Sequence, residues 1–504
     1  MPRSKKQVLD LKTTLVRSWS AREVRGVFVA SIAVLCIAAC AEDFEQEAKI
    51  IESSSRPKSV VLIINDTMRR DRVGIYGGPA KTPAFDAFAE RNALFEQAYT
   101  PAPWTKPSVA SLFTSLYPSQ HRVLSHPREI AGVSAPTMPI DVLSDEFDTL
   151  AEFLQRSRLH TAAFVANPWM LKEFGFAQGF DVYDDSFAKW EAPGEQVSRA
   201  GLDWLEGLPK DEPFFLYLHY IDTHRPYDPL SVAELMARAE GLKADGRPVS
   251  KEGRAAIRRV VKLEEGVDLS DVDLRPSLAL VELSYDKGLE AFDRALAMFM
   301  DEFRQHGMFE HTAIVITSDH GEALFERGYG NHGQGLYSDE VALPFAARFP
   351  GHTTPGMNIE APVSLIDVMP SLFAYLEIEG KQSMAGRSLL TSLRDLDPGR
   401  CLVIEGVGGK PKNRAVLKNS YKLLWQPQKG PDGVETALFH IREDPLEANN
   451  LLASDETSQE VGTIVTSLLQ SATATVRDFD APEQTTVPLD EATKGRLRAL
   501  GYLE

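Results

Sequence analysis

Four short runs of apolar residues, rich in β-branched side chains, recur along the chain and are separated by longer helix-compatible stretches. They are Val60–Ile64, Ala162–Ala166, Phe214–Leu218 and Ala313–Thr317. Short continuous apolar runs are typical of strands buried on both faces of a parallel sheet. The pattern therefore predicts an α/β fold with a mostly parallel central sheet flanked by helices.

Polar residues that can hold a metal or an anion follow each of these runs. Asn65-Asp66 comes after the first, Asn167 after the second, His219 after the third and Asp319-His320 after the fourth. The carboxyl ends of parallel strands lie along one edge of the sheet, where ligands bind. We therefore expect Asp66, His224, Asp319 and His320 to converge, although they are far apart in the sequence.

Thr105 precedes a helix-compatible segment, Ser108–Leu116, and Pro107 favours an early helical position. The unpaired N–H groups of a first helical turn suit a phosphate or sulfate oxygen. Thr105 can then be a hydroxyl nucleophile that faces an anion. The ordinary alternative for a Thr-x-Pro sequence is a helix N-cap.

A divalent cation would suit this set of side chains. Two carboxylates, a hydroxyl oxygen and one imidazole form a mixed oxygen and nitrogen donor set, and such an ion would activate the Thr105 hydroxyl. For Asp319-His320 the alternative is a strand-ending turn with a structural histidine. Zinc or manganese is favoured, and calcium or magnesium also fits such donors.

At this point the chain resembles the sulfatase family of the alkaline phosphatase superfamily, from about Val60 to the C-terminus. The matching pieces are Val60–Arg69, Thr82-Pro83, Ala98–Ala102, Ser111–Pro118, Ser318–Glu322 and Asn331–Gly333. The resemblance implies an alkaline-phosphatase-like fold in which Asp66, Asp319 and His320 bind the metal. It also implies that Thr105 is nucleophile and ligand, and that His224 and His332 meet the substrate oxygens.

The remaining site candidates have weaker support. Asn167 and His219 are assigned to substrate binding, although a strand-end histidine beside a tyrosine is more often packed than ligating. His224 could instead pack on Tyr227, and His332 could be a solvated loop residue. Glu322 could orient His320, or be an exposed residue at a helix start.

Three departures from the family pattern change the expected chemistry. True sulfatases carry Cys or Ser where this chain has Thr105, in a motif ending in Arg, and oxidise it to formylglycine. Val109 occupies the Arg position, Thr67 replaces the second of two paired acids, and Asn167-Pro168-Trp169 replaces Lys-Trp-His. We therefore expect no formylglycine. A Thr nucleophile resembles the phosphodiesterase, phosphonate hydrolase and phosphoethanolamine transferase branches, and the last leaves a second ion at His224 and His332 open.

The same resemblance organises the rest of the chain. The catalytic domain is expected at residues 58–390, with a charged insertion at 229–275 that is either a substrate lid or a solvated helical excursion. Amphipathic helices are expected in it at Tyr285–His306 and Asp367–Leu376. Residues 391–504 are expected to form a small antiparallel C-terminal subdomain. Its predicted elements are strands at Arg414–Lys418, Tyr421–Trp425 and Ala437–His440 and a helix at Glu460–Ala472.

The N-terminal region resembles a bacterial lipoprotein signal. Basic residues precede a short apolar run, Val27–Ala39, which ends at Cys40 and is too short to span a bilayer comfortably. Residues 1–39 are expected to be a signal peptide, Cys40 the lipidation site and residues 40–57 a polar tether. The protein would then be anchored in the bacterial cell envelope, facing the periplasm or the surface, with the outer membrane favoured.

The cysteines and the charge agree with this location. Loss of Cys36 with the signal and lipidation of Cys40 leave Cys401 alone, so no intrachain disulfide is expected. The net charge is −18, and the 39 residues before Cys40 carry seven basic and two acidic side chains, so a cleaved chain would carry −23. Such acidity argues against nucleic-acid binding. The oligomeric state is left open.

Taken alone, the sequence predicts a lipid-anchored, metal-dependent hydrolase of phosphate or sulfate esters, with phosphodiesters or phosphonate esters favoured. The substrate would be a small-molecule, lipid or glycan ester. Three alternatives remain: a transferase that passes a phosphoethanolamine-type group to a lipid or glycan, a sulfuric ester hydrolase that works without formylglycine, and a degenerate protein that only binds anions or glycans.

Overall fold

The computed structural model describes most of the chain that follows the N-terminal tether. The described residues are 58–124, 140–188, 192–209, 211–225, 227, 275–327, 329–379, 383–391, 393, 396–406, 413–426, 435–453, 458–476 and 485–487. The predicted signal peptide, the lipidation site Cys40, the tether and nearly all of the 229–275 insertion lie outside these residues. Within them, no helix is both long enough and apolar enough to cross a membrane.

The strands form one large sheet and several small ones. In chain order they are β1 (Ser59–Asn65), β2 (Ala93–Phe95), β3 (Ala98–Tyr99), β4 (Ile140–Asp141), β5 (His160–Val165), β6 (Val182–Asp184), β7 (Phe214–Tyr220), β8 (Thr312–Thr317), β9 (Ala323–Leu324), β10 (Gly330–Asn331), β11 (Ala342–Leu343), β12 (Phe345–Arg348), β13 (Met357–Ile359), β14 (Val363–Ser364), β15 (Leu402–Glu405), β16 (Arg414–Lys418), β17 (Tyr421–Gln426), β18 (Glu435–His440) and β19 (Thr486–Val487).

The large sheet has eight strands in the order β13-β2-β12-β8-β1-β7-β5-β6. In this sheet β12 runs antiparallel to both neighbours, β8 and β2, and the other pairs are parallel. The predicted α/β class with a mostly parallel central sheet is confirmed. The four predicted runs become β1, β5, β7 and β8, with boundaries that shift by one or two residues.

β1 lies at the centre of the sheet, between β7 and β8, and its side chains build the core on both faces. Val60, Leu62 and Ile64 pack into one apolar cluster, whereas Val61 and Ile63 pack into the other. This alternation explains why the strand is apolar throughout, because neither face meets solvent.

Helices cover the two faces. They are α1 (Pro83–Glu90), α2 (Thr105–Thr114), α3 (Pro118–His121), α4 (Leu150–Arg156), α5 (Gly194–Glu206), α6 (Arg275–Gln305), α7 (Ser338–Val341), α8 (Val368–Leu376) and α9 (Gln459–Thr475). α2 and α8 contribute to the cluster that contains Leu62, and α5 and α6 to the one that contains Ile63. α6 begins ten residues before the predicted start at Tyr285, at Arg275-Pro276, where a proline in the first turn favours a helix start.

The C-terminal region contains the predicted antiparallel sheet, in the order β15-β16-β17-β18. One face packs on Leu336 and Val341 around α7, and the other packs on α9. The small C-terminal subdomain expected from the family resemblance is therefore present, while its exact boundaries stay a prediction.

A buried ion pair fastens this sheet to the loop before α7. Lys422 of β17 lies 2.7 Å from Glu447, and both side chains are fully buried. The second Glu447 oxygen accepts the Ser338 N–H at 2.7 Å. Burial lowers the pKa of Lys422, and the Glu447 carboxylate opposes that shift.

We expect Glu447→Gln to lower the free energy of unfolding by about 3–5 kcal/mol, because it leaves the Lys422 charge buried without a counter-charge. Lys422→Met combined with Glu447→Gln should recover most of the loss. Urea denaturation measures both. The half-exposed pair of Arg156 and Asp148 is the matched control, and Arg156→Gln should cost less than about 1 kcal/mol. A Glu447→Gln protein as stable as the wild type would contradict this expectation.

Candidate active site

The candidate site lies at the carboxyl edge of the central strands. Asp66 follows β1, Asp319 comes two residues after β8, and His219 is the last residue but one of β7. The carbonyl of Tyr220, which ends β7, accepts the Asp66 N–H at 3.0 Å. The strand order places β7 and β8 on either side of β1. The predicted convergence of side chains from distant parts of the sequence is therefore seen in the structure.

Asp66, His219 and Asp319 each offer one ligand atom, and these atoms lie within 4.8 Å of one another. His320 Nε2 lies 3.5 Å from Asp66 Oδ1 and 3.5 Å from Asp319 Oδ2. His219 Nε2 lies 3.6 Å from Asp66 Oδ2. All four side chains are fully buried.

Several atoms of this cluster are buried without a hydrogen-bond partner among the described residues. They are Asp66 Oδ1, Asp319 Oδ2 and His219 Nε2. By contrast, Asp319 Oδ1 accepts the N–H groups of His320 at 2.9 Å and Thr67 at 3.3 Å. A divalent cation binds to carboxylate and imidazole atoms that face one another and have no other partner. This set of donor atoms therefore fits such an ion.

The electrostatics of the pair of carboxylates also favour a cation. Burial and the Asp66 charge raise the pKa of Asp319. Burial opposes ionisation of Asp66 too, yet the nearby imidazoles of His219, His224 and His320 hold its pKa well below the usual range. Two buried carboxylates at this separation repel each other, and a cation between them would remove that cost.

Thr105 is the first residue of α2, and its N-cap is Trp104, which has no side-chain oxygen to accept the N–H groups of the first turn. The N-cap alternative for Thr105 is therefore wrong. Its Oγ1 lies 3.2 Å from His320 Nε2. Ser108, one turn further along α2, donates its hydroxyl to Asp319 O at 2.7 Å and ties the helix to the carboxylate turn.

Asn167 reaches the same point from the end of β5. Its Nδ2 donates to Asp66 Oδ2 and to Thr105 Oγ1, the latter at 3.2 Å. Its Oδ1 accepts the Trp169 N–H at 2.7 Å, which fixes the amide orientation. The sequence predicted Asn167 as a substrate-binding residue, and the structure places it against the nucleophile candidate and a carboxylate.

Four histidines surround the site, and each has its Nδ1 atom engaged. Nδ1 lies 2.8 Å from the Tyr217 hydroxyl in His219, 2.6 Å from Arg225 O in His224, 2.9 Å from Gly321 O in His320 and 2.6 Å from a Glu322 oxygen in His332. A carbonyl or carboxylate oxygen only accepts, so Nδ1 of His224, His320 and His332 carries a proton. Nε2 is then the ring nitrogen left for chemistry.

His224 and His332 lie together as the sequence predicted. Their ring centroids are 5.2 Å apart, and the His332 ring is 4.4 Å from that of His320. Burial lowers the pKa of both residues, and the neighbouring histidines lower that of His332 further. Both rings are buried, so the alternative of a solvated loop residue is wrong for His332.

The structure corrects two assignments. His219, weakly supported in the sequence as a substrate contact, lies in the carboxylate cluster itself, because β7 extends through Tyr220 and the histidine is part of the strand. Glu322 is neither an exposed helix start nor a partner of His320. It is fully buried and contacts His332 and Tyr227. A histidine that continues an apolar strand gives no local signal of this position.

The departures from the sulfatase pattern have simple structural roles. Val109 packs in the apolar core, and Thr67 lies fully buried with a φ of 59° in the turn after Asp66. The Thr67 N–H reaches Asp319 Oδ1, and its carbonyl accepts the Tyr285 hydroxyl at 2.6 Å.

Comparisons with known proteins find similarity over most of the chain. Residues 58–378 match the family model described as sulfatase. The arylsulfatase of Clostridium perfringens is 21% identical over 462 residues, which cover 80% of this chain and 92% of that protein. A structure in complex with its substrate, D-glucosamine-2-N,6-O-disulfate, superposes with a TM-score of 0.66 at 17% identity and covers 86% of this chain and 100% of that one. The phosphonate monoester hydrolase of Agrobacterium radiobacter superposes with a TM-score of 0.62 at 18% identity, over 83% of this chain and 96% of that one.

If His219 is a ligand, His219→Gln should weaken binding of Zn²⁺ or Mn²⁺ by more than the roughly 10–100-fold typical of losing a residue that only orients a ligand. Equilibrium dialysis with metal analysis measures the affinity. His352→Gln, which changes an exposed histidine, is the control and should bind like the wild type. Unchanged affinity in His219→Gln, together with loss of binding in Asp319→Asn, would remove His219 from the ligand set.

Proposed function

This chain belongs to the sulfatase family, whose model covers residues 58–378, and is a hydrolase acting on ester bonds. From this premise we propose that it hydrolyses phosphodiesters or phosphonate esters with Thr105 as the nucleophile. The observation that carries the proposal is the position of the Thr105 hydroxyl, which lies between His320 Nε2 and Asn167 Nδ2 at the start of α2.

The donor set proposed for the cation is Asp66, His219, Asp319 and His320. A divalent cation there, zinc or manganese by preference, would lower the pKa of the Thr105 hydroxyl and neutralise charge on the substrate oxyanion. The chain's own residues orient the nucleophile. Asn167 donates a hydrogen bond to Thr105 Oγ1 and thereby orients this hydroxyl. Ser108 holds α2 against Asp319.

The proposed reaction has two steps. Thr105 Oγ1 forms a bond to phosphorus while the bond to the leaving alkoxide breaks, and the alkoxide departs with the electron pair. The Thr105 proton passes to His332 Nε2 and from there to the alkoxide. Water then attacks phosphorus while the bond from phosphorus to Thr105 Oγ1 breaks, the proton of the water passes through His332 to Thr105 Oγ1, and the phosphomonoester is released.

Three considerations favour phosphorus over sulfur. Threonine cannot be oxidised to the aldehyde of formylglycine, so the family's sulfate chemistry lacks its usual nucleophile. A threonine hydroxyl suits a covalent phosphoryl intermediate that water can resolve. A phosphonate monoester hydrolase is also among the structures that share this fold over most of their length. Transfer of the phosphoryl-bearing group to a lipid or glycan hydroxyl differs only in the acceptor of the second step.

The test compares matched aryl phosphodiester, phosphate monoester and sulfate substrates on the metal-reconstituted protein. We expect the diester to be turned over fastest and Thr105→Ala to lower kcat by about 10⁴-fold or more, because the covalent step is lost. Thr105→Ser keeps the hydroxyl and should retain activity within about 10²-fold. Acid quenching followed by peptide mass spectrometry should find Thr105 carrying the phosphoryl group together with its remaining ester substituent.

Sulfate turnover that persists in Thr105→Ala would overturn the proposal and favour a formylglycine-independent sulfatase. Product that forms only when an alcohol acceptor is added would favour the transferase. Absence of turnover with retained binding of phosphate or sulfated glycans would favour the binding protein.

We also propose that Cys40 anchors the protein in the bacterial envelope, facing the periplasm or the cell surface. The support is the sequence Ile37–Cys40 after a short apolar run. In a bacterial host, Cys40→Ser should abolish incorporation of labelled fatty acid, whereas Cys401→Ser should not. Equal labelling of the Cys40→Ser protein and the wild type would contradict the assignment.

A further inference from the structure

A buried carboxylate lies next to the histidine pair and has no role in the two steps described above. Glu322 is the second residue after His320 and is fully buried. One of its oxygens accepts the Tyr227 hydroxyl at 2.6 Å, and the other lies 2.6 Å from His332 Nδ1. Each oxygen therefore has a hydrogen-bond partner, one in the loop of Tyr227 and the other in the loop of His332.

The backbone of Glu322 is held as firmly as its side chain. Its N–H donates to Asp339 O at 2.9 Å, and its carbonyl accepts from the buried guanidinium of Arg69 at 2.9 Å. The preceding N–H, of Gly321, donates to Glu340 O at 2.8 Å. The main chain is thus fixed on both sides of the carboxylate, in the turn that carries His320.

The environment of His332 Nδ1 differs from that of the other three histidines at the site. In His224 and His320 the Nδ1 proton is donated to a main-chain carbonyl, and in His219 the partner is a tyrosine hydroxyl. In His332 the partner is a carboxylate. A carboxylate on Nδ1 fixes the tautomer with a lone pair on Nε2 and stabilises the imidazolium that forms when Nε2 takes up a proton.

We propose that Glu322 is a positioning residue that holds His332 in the Nδ1–H tautomer, so that its Nε2 accepts and returns the proton during ester hydrolysis. Through its second oxygen, Glu322 also joins the His332 loop to Tyr227 of the loop that carries His224. The inference rests on the proposed function, in which His332 transfers the proton.

Glu322→Gln is the informative substitution. The Tyr227 hydroxyl donates to Glu322, so the glutamine oxygen is expected to face Tyr227, and the amide N–H₂ would face His332 Nδ1. His332 would then have to present a lone pair at Nδ1 and carry its proton on Nε2, which is the wrong tautomer for accepting a proton. We expect kcat to fall by about 10²-fold or more with little change in KM.

The tautomer itself can be observed without turnover. In metal-loaded protein labelled with ¹⁵N-histidine, solid-state ¹⁵N spectra separate protonated from unprotonated ring nitrogens, and His332→Asn identifies the His332 signals. We expect Nδ1–H in the wild type and Nε2–H in Glu322→Gln. Tyr227→Phe is the matched control, because it removes the other hydrogen bond of the same carboxylate and should leave the His332 tautomer unchanged.

The possible results distinguish the role of Glu322 from that of His332. An Nε2–H tautomer in the wild type, or a Glu322→Gln spectrum like that of the wild type, overturns the inference, and the wild-type spectrum decides even where the variant folds poorly. A changed tautomer with unchanged kcat shows that His332 is not the proton carrier. If Thr105→Ala leaves turnover intact, the proposed function fails, while the tautomer result stands independently of it.

Discussion

The site depends on the electrostatic repulsion between two buried carboxylates. Asp66 and Asp319 end neighbouring strands, β1 and β8, and neither side chain meets solvent. Placing two such charges together in a low-dielectric interior costs far more than the surrounding hydrogen bonds return unless a counter-charge is present. Histidines line the cluster, and atoms of both carboxylates remain without hydrogen-bond partners among the described residues. The arrangement is therefore one that a cation completes.

The turn that carries Asp66 is strained and is held from two sides. Thr67 has a φ of 59°, in the left-handed region that a β-branched residue adopts at a cost of about 1–3 kcal/mol. Tyr285 of α6 donates its hydroxyl to Thr67 O, and Ser318 accepts the Met68 N–H at 2.8 Å. The long helix and the end of β8 thus stabilise a backbone conformation that Thr67 would not adopt alone. In this way the core of the domain fixes the orientation of Asp66.

The sequence could predict the strands and the edge of the sheet where the site lies. A strand buried on both faces consists of a continuous apolar run, and in this chain polar residues follow each such run. It could not rank His219, since the residue continues an apolar strand and its place in the carboxylate cluster depends on Asp66 across the sheet. It could not place Glu322 either. That carboxylate is defined by Tyr227 and His332, which meet it only through tertiary packing. The start of α6 was missed, although Pro276 in its first turn is a signal for a helix start.

The proposed cation cluster and the proposed proton-transferring histidine begin on different parts of the fold but share the support of α7. The cluster is built on β1, β7 and β8. The loop of His332 instead wraps around the Glu340 carboxylate, which accepts the Gly335 N–H at 2.8 Å and the Tyr329 hydroxyl at 2.7 Å. Glu447, from the C-terminal region, accepts the N–H of Ser338 at the start of α7. The C-terminal sheet thus supports α7, and the Asp339 and Glu340 carbonyls of α7 accept the N–H groups of Glu322 and Gly321. A disturbance there should therefore reach both the His332 loop and the turn that carries His320.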